Sequence, residues 1–210
     1  FTGGVALLRP SHFANSKSHT INFKWQGFQE AGWKVASTFS NEPKGFTIKR
    51  TLDEFGMATF MAGSLKIIEK VFSTGKLRCA LPGTRWNFGT EEFASFALSI
   101  VRTTKSFMGE KANSPLFIGV IPIATKSPIP QGMAGLGLTS SLLLFLRPDE
   151  SLQWHPTKDQ RVMQVLAHEY LHQWFGGTIK PRRPTGYLIW FLEGFTDYYS
   201  LRMLLEASVI

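Results

Sequence analysis

Two histidines four residues apart, with a glutamate between them, constrain this chain more than any other sequence feature. They lie in the segment His168-Glu169-Tyr170-Leu171-His172. On an α-helix, this spacing brings both imidazoles to one face, roughly 6 Å apart along the axis. Two neutral imidazoles so placed can bind one Zn²⁺, and the glutamate can take a proton from the water on that metal.

The sequence around this motif predicts a helix over residues 158–175. Apolar residues recur there at spacings of three and four, which gives the segment one apolar face. Thr157 is expected to be the N-cap, and Gly176 and Gly177 follow where a helix would end. The alternative is that the histidines only decorate a core helix; the His-Glu-x-x-His spacing favours zinc.

A catalytic zinc needs a third protein ligand and an open position for water. We expect Glu193 to be this ligand, because it lies in an apolar helical stretch where a buried carboxylate would need a metal or another partner. The alternative is a solvent-facing glutamate at a helix start. Asp197, one turn later on the same face, is expected to accept a hydrogen bond from His168, although an ordinary exposed aspartate is the competing interpretation.

These segments together resemble the zinc-binding motifs of the gluzincin peptidases. The His-Glu-x-x-His segment at 168–172 and the Glu-Gly-Phe-Thr segment at 193–196 carry the likeness. Within that group, the chain is most similar to the glycyl aminopeptidase family and more distantly to the aminopeptidase N family. Further similarity lies in the basic loop at 180–184, in the second zinc helix at 190–199, and in the cleft-lining strand at 135–142.

The resemblance implies zinc-dependent hydrolysis of peptide bonds in a peptide or protein substrate. His168, His172 and Glu193 would bind Zn²⁺, and Glu169 would be the catalytic base that assists attack by metal-bound water, with Asp197 supporting His168. The resemblance also implies an extracytoplasmic location, either periplasmic or secreted. A tyrosine that stabilises the oxyanion would be expected beyond residue 210.

The predicted cleft strand departs from the families it resembles. Gly135, Leu136, Gly137 and Leu138 would line the substrate cleft, but Gly137 and Leu138 stand where the family carries Glu, often followed by His. That glutamate binds the free α-amine of a substrate, so the resemblance implies aminopeptidase-type chemistry without fixing exopeptidase specificity. The alternative function is a catalytically weak or inactive gluzincin fold that binds peptides or protein partners.

Composition excludes several other classes of protein. The 210 residues are 43% hydrophobic and 18% charged, as in packed globular proteins, and no apolar run is long enough for a transmembrane segment. The net charge of +8 is scattered, so we expect no nucleic-acid binding. The densest basic cluster, Lys180 to Arg183, fits either a solvated loop or a contact to a substrate carboxylate. The single Cys79 excludes an internal disulfide, and the start at Phe1 suggests a fragment or a processed chain.

The order of predicted elements indicates an α+β fold. Alternating segments predict strands before residue 80, and a helix over Glu91 to Met108 capped by Thr90 follows. We expect residues 1–80 to form a β-rich N-terminal region. Residues 81–210 would form the first half of a thermolysin-like zinc peptidase catalytic domain, as the resemblance implies. The residues at 81–84 fit a linker or a turn equally well. The other predicted strands are 20–25, 33–39, 46–51, 65–72, 116–123 and 142–146.

Overall fold

Strands dominate the N-terminal part of the chain, and helices join them later. A computed structural model describes residues 2–3, 17–28, 30–110, 115–124, 133–152, 161–179 and 188–208. The α+β class with a β-rich N-terminal region is confirmed. The expected N-cap at Thr157 and the basic loop at 180–184 lie outside the described residues.

The N-terminal strands form two small antiparallel sheets around an aromatic cluster. The elements are β1 (Thr2–Gly3), β2 (Ser18–Phe23), β3 (Lys34–Ser37), β4 (Phe46–Thr51), α1 (Leu52–Gly56) and β5 (Thr59–Gly63). One sheet has the order β1-β5-β3 and the other pairs β2 with β4. The cluster buries Phe60 of β5 together with Trp25, which follows β2, and Phe55 of α1.

A five-stranded sheet follows and supplies one wall of the candidate site. Its strands are β6 (Leu65–Phe72), β7 (Gly75–Pro82), β8 (Leu116–Pro122), β9 (Met133–Leu138) and β10 (Ser141–Leu146). The order is β6-β7-β8-β10-β9, with β8 parallel to both of its neighbours. The central strands β8 and β10 are nearly all apolar, as strands covered on both faces must be. The edge strand β9 is richer in glycine and pairs antiparallel with β10.

The predicted division of the chain at residue 80 falls inside this sheet. Strand β7 runs through that position and pairs with β6 on one side and β8 on the other. A cut between residues 80 and 81 would therefore divide a strand. Strand pairing alone does not define a domain, so the two regions remain a prediction.

Three long helices complete the described structure. They are α2 (Thr90–Phe107), α3 (Arg161–Leu171) and α4 (Ile189–Glu206). The expectation that Thr90 caps α2 is wrong, because Gly89 is the N-cap and Thr90 is the first helical residue. The Glu92 carboxylate accepts the Gly89 N–H at 3.1 Å, so a side chain inside the helix performs the capping.

The last helix is the most apolar of the three, and one side of it is exposed. Ile189, Trp190, Tyr198, Leu201 and Leu205 are all exposed on α4. Charged residues interrupt its sequence at four positions, 193, 197, 202 and 206. None of the helices within the described ranges combines the length and apolarity that a bilayer crossing needs.

Candidate active site

Helix α3, which carries His168 and ends just before His172, packs against the main core through its apolar face. Val162, Leu166 and Tyr170 are each 2% exposed and pack into the main core. His168 and His172 lie at the edge of that core, and their side chains are 18% and 23% exposed. The amphipathic pattern therefore fixes which helix face sinks into the core and leaves both imidazoles accessible.

The second helix approaches the first through small polar side chains. Thr196 and Ser200 on α4 are fully buried. Their hydroxyls donate to helix carbonyls of their own, Thr196 to Leu192 O at 2.7 Å and Ser200 to Asp197 O at 2.8 Å. Short side chains with internally satisfied hydroxyls let α4 pack closely against α3. This contact carries Glu193 and Asp197 to the histidines.

The side chains of His168, His172 and Glu193 converge on one point. The Nε2 atoms of the two histidines are 3.1 Å apart. Glu193 Oε2 lies 3.1 Å from His168 Nε2 and 3.6 Å from His172 Nε2. The structure thus brings together the three residues that the sequence selected as ligands, although His172 and Glu193 are 21 positions apart in the chain.

The outer nitrogens of both imidazoles face hydrogen-bond acceptors. His168 Nδ1 lies 2.7 Å from Asp197 Oδ1, and His172 Nδ1 lies 3.1 Å from the carbonyl oxygen of Phe175. Each Nδ1 must carry a proton to donate to such an acceptor. In the neutral rings, both Nε2 atoms then present lone pairs to each other and to the Glu193 carboxylate. Three facing lone pairs need a cation between them, either a proton or a metal ion.

A zinc ion suits this donor set. Imidazole nitrogen and carboxylate oxygen bind Zn²⁺ at about 2.0–2.2 Å, so neighbouring tetrahedral ligand atoms lie about 3.3–3.5 Å apart. The observed separations of 3.1, 3.1 and 3.6 Å bracket that value. Two imidazoles and one carboxylate also leave a fourth position for water, as catalytic zinc sites do.

The carboxylate of Glu193 is less buried than the sequence predicted. Its side chain is 49% exposed, and that of Asp197 is 59% exposed. The expectation of burial was wrong because α4 turns this apolar-looking stretch partly outward. The position of Glu193 beside the histidines therefore rests on the packing of α4 against α3.

The carboxylate of Glu169 contacts strand β9. The N–H of Gly137 donates to its Oε2 at 2.7 Å. Burial raises the pKa of Glu169, and this effect exceeds the opposing influence of His172, His168 and the Gly137 N–H. A carboxylate with a raised pKa is better matched to accepting and returning a proton near neutral pH.

Two glycines on β9 make room for this glutamate. A Cβ atom at Gly135 would lie 2.2 Å from Glu169 Cγ, and one at Gly137 would lie 2.8 Å from the Glu169 carbonyl oxygen. Residues 135 and 137 share one face of the strand, and that face meets α3. A side chain at either position would force Glu169 or the strand to move.

The two leucines of the predicted cleft differ in their surroundings. Leu136 alternates with Gly135 and Gly137 on β9 and is 46% exposed, whereas Leu138 borders a cavity. Next to His172 is a cavity of about 250 Å³, bordered by Gly137, Leu138 and, from the N-terminal region, Met57. None of the described residues lining this cavity is acidic.

The C-terminal part of the chain matches a family model, the peptidase family M1 domain, over residues 129–208. This range contains β9, helices α3 and α4 and every predicted site residue. The chain is a relative of the M1-type gluzincin peptidases. The closer similarity to the glycyl aminopeptidase branch remains a prediction.

A solved structure of an aminopeptidase N family protein shares the fold. An aminopeptidase N family protein from Idiomarina loihiensis aligns with a TM-score of 0.70 at 22% identity, covering 93% of this chain and 35% of that one. A two-domain M1 zinc metallopeptidase, a mutant bound to L-arginine, aligns with a TM-score of 0.49 at 14% identity, covering 84% and 38%. A search of curated proteins finds no significant match. The chain spans little more than a third of the length of these solved relatives.

One contact in this site is not among the features that the sequence predicts. Gln173, directly after the second histidine, hydrogen-bonds to the backbone of the β9–β10 turn. No local pattern signals this contact, since its partners lie more than 30 residues earlier in the chain. Gly135 did leave a signal, because glycine inside a strand often marks the close approach of another group.

Proposed function

We propose that this chain is a zinc-dependent peptidase that hydrolyses peptide bonds, with aminopeptidase-type chemistry. The observation that carries the proposal is the convergence of His168, His172 and Glu193 within 3.1–3.6 Å, with Glu169 fixed beside them. The match to the M1 peptidase domain supports peptide-bond hydrolysis as the reaction class.

His168, His172 and Glu193 would hold the metal. When bound, zinc would polarise the scissile carbonyl and make a water molecule more acidic. Asp197 would keep the proton of His168 on Nδ1, so that Nε2 stays free to ligate, and the Phe175 carbonyl would do the same for His172. The second contact uses the backbone, so it survives any substitution of the Phe175 side chain.

Glu169 would move the proton during the reaction. Its carboxylate would accept a proton from the attacking water and pass it to the departing amine. The Gly137 N–H would hold one oxygen and leave the other free for this exchange. The raised pKa caused by burial favours both halves of the transfer.

The edge strand β9 and its neighbouring cavity would receive the substrate. An edge strand offers backbone groups that an extended peptide can pair with, and β9 lies directly beside Glu169. The cavity next to His172 is lined by uncharged groups and His172 itself, which suits a peptide segment with small or apolar side chains. With Gly137 at the family's glutamate position, recognition of a free amine would need another carboxylate.

A second candidate function is peptide binding without efficient catalysis. It is favoured by Gly137 and Leu138 in the cleft strand, which carry no carboxylate for a substrate amine. Retention of Glu169 weighs against it, because a binding-only site has no need for a carboxylate that does not ligate the metal.

The extracytoplasmic location implied by the resemblance is also part of the proposal.

A peptide-library digest with and without a zinc chelator separates the two functions. The proposal predicts cleavage that the chelator abolishes and that added zinc restores. Glu169→Gln should keep its zinc but lose nearly all turnover, whereas the exposed control Glu30→Gln should behave as wild type. Wild-type rates in Glu169→Gln would refute the mechanism. Products trimmed one residue at a time from the N-terminus would establish exopeptidase action.

A further inference from the structure

The side chain of Gln173, two residues after the end of α3, forms hydrogen bonds to the end of strand β9 and to the turn that follows it. Its Nε2 donates to the carbonyl oxygen of Leu138 at 2.5 Å, and its Oε1 accepts the N–H of Ser140 at 3.3 Å. One amide thus satisfies a carbonyl and an N–H of the same turn, as a neighbouring strand would. This two-bond contact is called the Gln173 clamp below.

The backbone of Gln173 is itself fixed. Its carbonyl oxygen accepts the N–H of Thr178 at 3.1 Å and the Thr178 hydroxyl at 3.2 Å. The loop returns so closely that a Cβ at Gly177 would lie 2.2 Å from this same oxygen. The backbone of Gln173 is therefore held in place, and the two hydrogen bonds of its side chain fix the position of the turn relative to it.

The turn at the other end of the clamp holds a residue in an uncommon conformation. Ser140 has φ of 55°, in the left-handed region that non-glycine residues rarely adopt. Its carbonyl oxygen accepts the N–H of Phe117 on β8 at 3.0 Å, and its own N–H is held by Gln173. Such a conformation persists only where surrounding contacts over-determine it, and the clamp is one of those contacts.

The clamp and the catalytic glutamate meet on consecutive residues of one strand. Gln173 holds the carbonyl of Leu138, and the residue before it, Gly137, donates its N–H to Glu169 Oε2 at 2.7 Å. Glu169 on α3 and Gln173 in the turn just after it are four positions apart, and both reach the same strand. Any shift of β9 along or away from α3 would therefore change both contacts together.

We propose that Gln173 is a positioning residue for Glu169, acting by holding β9 at the distance where the Gly137 N–H binds the carboxylate. This inference rests on the proposed peptidase function. The clamp lies at the edge of the 250 Å³ cavity, which Gln173, Gly137 and Leu138 all border. Water entering there could satisfy Leu138 O and Ser140 N–H if the side chain were removed. Removing the clamp would therefore change the position of β9 more than it would leave buried polar groups without a hydrogen-bond partner.

Gln173→Met tests the proposal, because methionine has similar length but no hydrogen-bonding amide. Gln164→Met, in the preceding helix α3 and also partly buried, is the matched control. We expect Gln173→Met to keep its zinc and a near-wild-type KM, while kcat falls about 10- to 100-fold, the scale for a misplacement approaching 1 Å. Gln164→Met should leave both constants unchanged.

A second readout follows the Gly137 amide directly by NMR on ¹⁵N-labelled protein. In Gln173→Met, its proton should exchange faster with solvent and its chemical shift should move toward that found in Glu169→Ala, where the carboxylate partner is gone. If Gln173→Met fails to fold by circular dichroism, Gln173→Glu replaces it. That variant keeps the acceptor for Ser140 N–H but sets a carboxylate against the Leu138 carbonyl, and the same results are expected.

The two readouts separate this inference from the proposed function. A wild-type kcat together with an unchanged Gly137 amide in a folded Gln173 variant would overturn the positioning role. If the wild-type chain cleaves no peptide, the proposed function fails. The solvent exchange of the Gly137 amide proton then decides by itself whether Gln173 holds β9 in place. Faster exchange of Gly137 would then still support the clamp, and unchanged exchange would refute it.

Discussion

A Gly135→Ala substitution tests whether bare backbone on β9 sets the position of Glu169. The added Cβ would lie 2.2 Å from Glu169 Cγ and 2.6 Å from its Cδ, whereas ordinary contact begins near 3.4 Å. Strand and glutamate must therefore separate by about 1.2 Å. A misplacement of this size costs on the order of 100-fold in rate, or about 2.7 kcal/mol in the activation barrier.

The assay combines peptide hydrolysis with zinc analysis. The three atoms nearest the added Cβ all belong to Glu169, and none belongs to His168, His172 or Glu193. We therefore expect full zinc content, a kcat reduced about 100-fold, and a smaller change in KM. Overpacking of this kind lowers the free energy of unfolding by about 1–3 kcal/mol, so a melting curve must show that the variant is folded at the assay temperature.

Gly194→Ala is the matched control for this substitution. A Cβ at Gly194 meets no atom within 4 Å, although the residue is adjacent to Glu193 on α4. This variant should retain wild-type turnover and gain helix stability of up to about 1 kcal/mol. A folded, zinc-loaded Gly135→Ala chain with wild-type kcat would refute the claim that the glycine face of β9 positions Glu169.

Three further predictions concern the support of the site and of the fold. Asp197→Ala should weaken zinc binding about 10- to 100-fold in a competition titration with a chromogenic chelator, because His168 loses its Nδ1 partner; unchanged affinity would contradict this. Burial raises the pKa of Glu69, but hydrogen bonds led by that from Arg78 outweigh it and hold the pKa below its usual range. The resulting stabilisation is complete above the unfolded pKa of about 4.3 and is lost as pH falls through the folded pKa. Glu69→Gln should therefore lower the urea midpoint more at pH 7 than at pH 3, and an equal effect at both would contradict the linkage. Lys105, 3% exposed, donates to a β6–β7 turn carbonyl at 2.9 Å, so Lys105→Met should cost about 2 kcal/mol, or roughly 4–8 °C in Tm; an unchanged Tm would count against this.

Local periodicity explains which elements the sequence could predict. The strands at Phe46–Thr51 and Leu65–Phe72 have the predicted limits, because alternating side chains and flanking turn residues mark them. The expected strand at 20–25 begins and ends two residues earlier, and the one at 33–39 is shortened at both ends to Lys34–Ser37. The helix that the resemblance indicated at 190–199 is longer and runs over Ile189–Glu206.

Contacts between distant segments explain what the sequence could not predict. Strand β7 was not expected, because its residues alternate weakly and its burial depends on pairing with β6 and β8. The exposure of Glu193 depends on how α4 rotates against α3, which no single helix pattern encodes. The Gln173 clamp joins residues 35 positions apart, so only the assembled fold brings them together.

Zinc stoichiometry tests the central claim most directly. The protein should be purified without added metal, analysed for metal content, and then titrated with zinc in parallel with Glu193→Ala. The geometry predicts about one tightly bound zinc per chain in the wild type and a strong loss of affinity in the variant, since one of three ligands is removed. A wild-type preparation that is metal-free and takes up no zinc would contradict the metal centre and, with it, the proposed peptidase function.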